Sequence, residues 1–140
     1  MRKQILLILF TLFCVGVSAQ YNQDIVIEKL LQTDTTSLGQ KIIYPNFADD
    51  EVTICKVTIP PGKSTGWHKH EIPVFAYVVE GTLTVEDEKG NARMYAEDSV
   101  ISEMHDVYHN GLNKGEDTVV LVAIYLGGKD VQLSVKMPDK

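Results

Sequence analysis

Short runs of β-branched and aromatic residues, each ended by turn-forming residues, recur along the chain after Glu51. Pro-Pro-Gly at 60–62 ends the first run, and residues 87–91 have the composition of a hairpin turn. The runs cover residues 52–59, 74–79, 82–86, 99–102, 118–126 and 131–135. Short strands at regular spacing, with no convincing long helix, predict an all-β sandwich or barrel.

One run, Val-Val-Leu-Val-Ala-Ile at 119–124, is apolar on both of its faces. Such a strand belongs in the middle of a closed or two-layered structure rather than at an edge. Residues 24–31 fit either a short strand or one face of a helix. A chain of 140 residues is long enough for one hydrophobic core, and we expect one β-barrel domain over residues 20–140.

The first nineteen residues differ in composition from the rest of the chain. A basic start at 2–3 precedes an apolar run over 5–17, and Val-Ser-Ala at 17–19 suits cleavage before Gln20. The apolar run is shorter than the about 20 residues that span a bilayer. We therefore expect residues 1–19 to be a signal peptide and the mature protein to be periplasmic or secreted, with no membrane association after signal removal.

Two other readings of this leader are an uncleaved membrane anchor and a lipoprotein signal acylated at Cys14. Phe13 argues against the lipoprotein, because the residue before an acylated cysteine is small. Loss of the leader also removes one of the two cysteines, and Cys55 then has no partner for an intramolecular disulfide. In a strand-like run, we expect Cys55 to be a small buried apolar residue.

Net charge excludes some classes of partner. Without residues 1–19 the chain has 11 basic and 19 acidic residues, a formal charge of −8, and no basic cluster. This balance argues against nucleic acid and anionic membrane surfaces as partners. A small-molecule ligand is the partner that remains.

Three histidines carry the candidate chemistry. His68 and His70 are separated by one residue, and His109 follows later in the chain. Residues i and i+2 of a strand face the same side, so His68 and His70 would present adjacent imidazoles to a metal ion. Three scattered strand histidines, each satisfied by a backbone partner, are the alternative.

The spacing around these histidines resembles the two sequence motifs of the cupin superfamily. The first motif lies over residues 62–81, which end in Tyr-Val-Val-Glu-Gly, and the second over 109–113. The resemblance implies a single-domain, cupin 2-like barrel, that is, a double-stranded β-helix or jelly roll. It also implies one divalent metal on His68, His70 and His109, and a homodimer, because small cupins commonly pair through their barrels.

The chain departs from the family pattern at four positions. Val74 stands where the first motif normally carries a glutamate ligand, and Met104 and Asp106 replace a proline and a glycine of the second motif. Asp98 replaces the glycine that opens that motif's strand. Aspartate tolerates unusual turn conformations, but Val74 cannot bind metal, so we expect an apolar wall at that side of the site.

Glu103 is the one carboxylate that could replace the missing ligand. By a period of two it shares a face with Ile101, so it points inside the barrel if Ile101 does. The alternative is a carboxylate at the rim, in contact with water. His105 is expected to be a solvated loop histidine, with a proton shuttle or substrate contact as the alternative, and Asn113 is expected to close a turn.

Two classes of function follow from the resemblance. A site rich in imidazole suits transition metals better than Mg or Ca, and we expect Zn, Fe, Ni, Cu or Mn. With an open coordination position, the protein could be a metal-dependent oxygenase, isomerase or lyase of a small organic molecule. The alternative is a non-catalytic cupin that binds a small molecule or a metal in the cell envelope. An adhesion or scaffolding domain would need the histidines to be incidental.

Overall fold

The computed structural model describes residues 24–139 as two antiparallel β-sheets without a helix in that range. The strands are β1 (Asp50–Ile59), β2 (His68–Lys69), β3 (Val74–Glu80), β4 (Thr82–Asp87), β5 (Ala92–Ala96), β6 (Val100–Ser102), β7 (His109–Leu112), β8 (Val119–Gly128) and β9 (Val135–Lys136). Between residues 24 and 139, no helix is long and apolar enough to cross a membrane. The signal peptide predicted at 1–19, with Cys14, lies outside the described residues.

The two sheets have the strand orders β1-β8-β3-β6 and β5-β4-β7-β2-β9. Successive side chains of a strand point to opposite sides, so each sheet has an inner face toward the other sheet and an outer face toward solvent. The core between them consists of Ile59, Ala76, Val78, Leu83, Val85, Ile101, Met104, Val119 and Leu121. The predicted all-β double-stranded β-helix is therefore confirmed.

β8 is the central strand of the first sheet. It pairs with all ten residues of β1 on one side and with β3 on the other. Its backbone groups are therefore paired on both edges, and no side chain of the run at 119–124 is fully exposed, which suits a run that is apolar on both faces. The sequence-based prediction of a central strand is confirmed.

Some predicted elements differ from the observed ones. Of the run 131–135 only Val135 lies in a strand, β9, and residues 92–96 form β5 although their composition gave no strand signal. Residues 24–31 are neither strand nor helix, and they make no backbone–backbone hydrogen bond with any part of residues 24–139. An apolar pattern shows that a segment can pair, but a strand forms only where another strand supplies the hydrogen bonds.

The two aspartates at family glycine positions adopt the left-handed conformation that glycine favours. Asp98 has φ 66° and Asp106 has φ 54°. Aspartate is among the few residues that reach this region at low cost. Both turns therefore keep the geometry that the family pattern requires without the family residue.

Gly81 is required by a close approach as well as by its φ of 80°. A Cβ there would lie 2.7 Å from the carbonyl oxygen of Thr118, whereas a Cβ at Gly90, with φ 84°, would meet nothing within 4 Å. Gly90→Ala should cost about 1–2 kcal/mol for the left-handed conformation alone. Gly81→Ala should cost about 1–3 kcal/mol more, because the backbone must move.

Urea denaturation of the two variants measures this difference in the free energy of unfolding. Gly90→Ala is the matched control, since it shares the strain in φ but not the contact. Equal losses of stability in the two variants would contradict the prediction.

Candidate metal centre

The fold brings His68, His70 and His109 together between the sheets. His68 in β2 lies directly opposite His109 in β7, and residues so paired project to the same face. His70 follows two positions after His68 and shares that face. The ring centroids are 4.9 Å apart for His68 and His70, 4.6 Å for His68 and His109, and 5.2 Å for His70 and His109.

Each imidazole is held by a hydrogen bond from Nδ1 to a backbone carbonyl oxygen. His68 donates to Gly66 at 2.8 Å, His70 to Leu133 at 2.7 Å and His109 to Val107 at 2.8 Å. A carbonyl only accepts, so Nδ1 carries the proton and Nε2 of the neutral ring keeps its lone pair. This arrangement fixes ring orientation and tautomer in metal-binding histidines.

Burial also favours the neutral imidazole at two of the positions. His70 is 3% exposed, and burial lowers its pKa to about 4. Burial likewise lowers the pKa of His68. At neutral pH these two rings are therefore unprotonated at Nε2, the state that binds a metal.

His109 differs because a carboxylate lies beside it. Burial lowers the pKa of His109, but Glu103 outweighs this effect and the net pKa is raised. Nε2 of His109 lies 3.1 Å from Oε2 of Glu103, yet the angles do not form a hydrogen bond, and this buried nitrogen has no hydrogen-bond partner among residues 24–139.

These atoms fit a metal ion. One ligand atom from each of the three histidines lies within 4.8 Å of the others, a group that could hold a metal. Because each Nδ1 is engaged in a hydrogen bond, Nε2 is the atom that can give its lone pair to a metal. Burying an Nε2 that has no partner costs folding free energy unless a ligand such as a metal ion binds it. Three imidazole donors suit a transition metal rather than Mg or Ca.

Glu103 points to the inside of the barrel. Its side chain is only 13% exposed and lines the same cavity as the three imidazoles. Burial raises the pKa of this carboxyl, but the three imidazoles, His109 foremost, together outweigh burial, and the net pKa is lowered. The reading of Glu103 as a rim carboxylate in water is therefore wrong.

Val74 does not form the apolar wall that the sequence suggested. It is buried, at 2% exposure, but it is not among the residues that line the histidine cavity. The backbone N–H of Glu103 donates to the carbonyl oxygen of Val74 at 2.9 Å. The end of β6 thus lies against the start of β3, and Glu103, not Val74, lines this side of the histidine cavity.

His105 and Asn113 have the places expected of them. His105 is exposed and is not in the histidine group. The Asn113 side chain donates to the carbonyl oxygens of Ile59 and Asp117 at 2.8 Å and accepts from the N–H of Gly115 at 3.0 Å. It closes the turn before β8 and does not line the cavity.

Two connected spaces lead to the histidines. The inner cavity offers about 50 Å³ to the centres of water molecules, and a wider cleft of about 370 Å³ lies outside it. His68, His70 and Tyr125 line both spaces. Thr65 also lines both spaces, and the outer cleft adds the polar side chains of Gln132, Ser134 and Lys136.

Tyr125 was not singled out from the sequence. Its ring meets that of His70 edge-on, with centroids 5.7 Å apart, and burial raises the pKa of its phenol to about 12. Its position at the junction of cavity and cleft gives an arriving ligand a phenolic hydrogen-bond donor. The available signal was its period-two spacing from Leu121 and Ala123 along β8.

Solved structures with the same fold include several proteins of low sequence identity. A chain from the crystal structures of the DMSP lyases RdDddP and RnDddQII has a TM-score of 0.54 and 15% identity, with 62% of this chain and 44% of that chain covered. A Bacillus halodurans protein has a TM-score of 0.52 and 21% identity, with coverages of 61% and 69%. At such identities the likeness shows the fold alone.

A Klebsiella pneumoniae protein with a double-stranded β-helix domain has a TM-score of 0.52 and 14% identity, with coverages of 66% and 90%. Our chain thus spans less than half of the DMSP lyase chain and most of the Klebsiella chain. A search of curated proteins found no match.

The family profile Cupin_2, described as a cupin domain, matches residues 55–125, which is just over half of the sequence. With the paired sheets and the histidine group, this match identifies the chain as a member of the cupin family.

Proposed function

We propose that this protein is an exported cupin that binds one divalent transition metal through His68, His70 and His109 and acts as an enzyme on a small organic molecule. The observation that carries the proposal is the convergence of three buried or half-buried imidazoles whose Nδ1 atoms are all committed to carbonyl oxygens. Zn, Fe, Ni, Cu and Mn remain the candidate ions, since imidazole donors suit them.

A divalent cation in such a site supplies Lewis-acid chemistry: it polarises a ligand oxygen or lowers the pKa of water. The chain's own residues would position the reactants. The Nδ1 hydrogen bonds hold the imidazoles rigid, and the apolar wall, which includes Val57, Leu83 and Leu121, excludes bulk water. Tyr125 would orient a ligand through its hydroxyl, and Glu103 is the one carboxylate that lines the cavity.

The cleft supports a small-molecule substrate. Its volume of about 370 Å³ lies within the range of about 300–1,000 Å³ typical of small-molecule sites. Hydroxyl, amide and ammonium donors line it, which suits an oxygen-bearing ligand of the oxygenase, isomerase or lyase classes. The inner cavity of about 50 Å³ holds only a few waters or one small group, and this supports the alternative, a cupin that binds a metal or ligand without catalysis.

We further propose that the protein acts in the periplasm or outside the cell. The basic start, apolar run and small residues before Gln20 support this localisation. The formal charge of −8 without residues 1–19 supports partners other than nucleic acid or anionic membranes.

Metal content tests the central proposal. The protein, purified without a histidine tag, should contain about one transition-metal ion per chain. His68→Ala, His70→Ala and His109→Ala should each lose it, because two imidazoles rarely retain a structural or catalytic cation. Elemental mass spectrometry after dialysis is the measurement.

His105→Ala is the matched control, since it removes an exposed imidazole that lies outside the group. It should retain the full metal content. Stoichiometric metal in all three site variants would contradict the proposal, and so would a parent protein that takes up no ion from any of the five metals.

Export has a separate test. Protein recovered from the envelope or the medium should have the intact mass of residues 20–140, because the leader is removed during translocation. A full-length species in that fraction would contradict the proposed cleavage.

A further inference from the structure

We propose that Glu103 is the fourth protein ligand of the metal, a carboxylate supplied from the end of β6. This inference rests on the proposed three-histidine site. It assigns a protein oxygen to the side of the cavity where Val74 was expected to leave an apolar wall. The site then consists of His68 and His109 from the neighbouring strands β2 and β7, His70 directly after β2, and one carboxylate that follows β6 of the opposite sheet.

The backbone fixes where the carboxylate comes from. β6 is the edge strand beside β3, and the N–H of Glu103 donates to the carbonyl oxygen of Val74 at 2.9 Å. The two residues are therefore neighbours across adjacent strands. The side chain of Glu103 enters the histidine cavity, whereas that of Val74 does not line it.

Burial requires a partner for this charge. The Glu103 side chain is 13% exposed, and the cavity that it lines contains no lysine or arginine side chain. An isolated buried carboxylate is costly unless a cation or several donors meet it. The only basic groups that line the cavity are the three imidazoles. A cation bound by these imidazoles would give the carboxylate a charged partner.

The distance to His109 fits two ligands of one ion. Two donor atoms bound at about 2.0–2.2 Å to one cation lie about 3–3.5 Å apart at the usual coordination angles. Oε2 of Glu103 lies 3.1 Å from Nε2 of His109, and the two atoms do not form a hydrogen bond with each other. Two ligand atoms that point at one metal ion from different directions lie at such a distance without being hydrogen-bonded to each other.

A small rearrangement accompanies binding. Glu103 is not in the group whose ligand atoms all lie within 4.8 Å of one another, so its oxygens are farther than that from at least one imidazole nitrogen. Rotation of the carboxyl group about the side-chain bonds would bring it closer. The inner cavity of about 50 Å³ leaves room for that movement.

Metal affinity of apo-protein reloaded with Zn²⁺ or Co²⁺ tests the inference, measured by competition with a chelator. Glu103→Gln keeps the size and removes the charge, and Glu103→Leu removes both the charge and the polar atoms. Each should lower affinity more than 100-fold, because changes in groups that only orient a ligand cost about 10–100-fold. Glu71→Gln, at an exposed carboxylate paired with Lys69, is the control and should bind like the parent chain.

The outcomes separate the two proposals. If the parent chain binds no metal, the three-histidine site itself fails. If the parent binds one ion and either Glu103 variant loses 100-fold or less, only the ligand role of Glu103 is overturned. Thermal unfolding of the apo-proteins checks folding, and Glu103→Leu should be at least as stable as the parent because it removes a buried charge.

Discussion

The antiparallel pairing of β8 with both β1 and β3 is the constraint on which the rest of the barrel depends. Ten residues of β8 pair with β1, and β3 occupies its other edge. Because both edges are used, the register sets which β8 side chains face inward. Leu121, Ala123 and Tyr125 therefore face the cavity, and a slip of one residue would turn this wall outward.

The histidines impose a second constraint, on the opposite sheet. Their Nδ1 atoms bond to carbonyl oxygens of Gly66, Leu133 and Val107. Leu133 belongs to the C-terminal segment, 63 residues after His70. The orientation of one candidate ligand thus depends on the docking of the chain's last strand, which couples the completeness of the fold to the site.

Charge in the cavity explains why the site is buried and yet polar. A carboxylate and three imidazoles share a space with an otherwise largely apolar wall, where electrostatic interactions are stronger than in water. Glu103 and His109 draw each other's pKa toward the charged forms, against the effect of burial. A polar cluster of this kind is stable only when each member is satisfied, and a cation is the simplest group that satisfies all four.

The sequence by itself determined the fold class, the central position of β8 and the three histidines, because strand periodicity and motif spacing are local properties. It also indicated that Asp98 and Asp106 could replace glycines, since left-handed backbone is a property of the residue type. Only the tertiary structure decided that Glu103 is buried beside His109, and that residues 24–31 have no backbone pairing partner among residues 24–139. Those outcomes depend on which strand lies next to which, and contacts between segments far apart in sequence leave no periodic signal in either one.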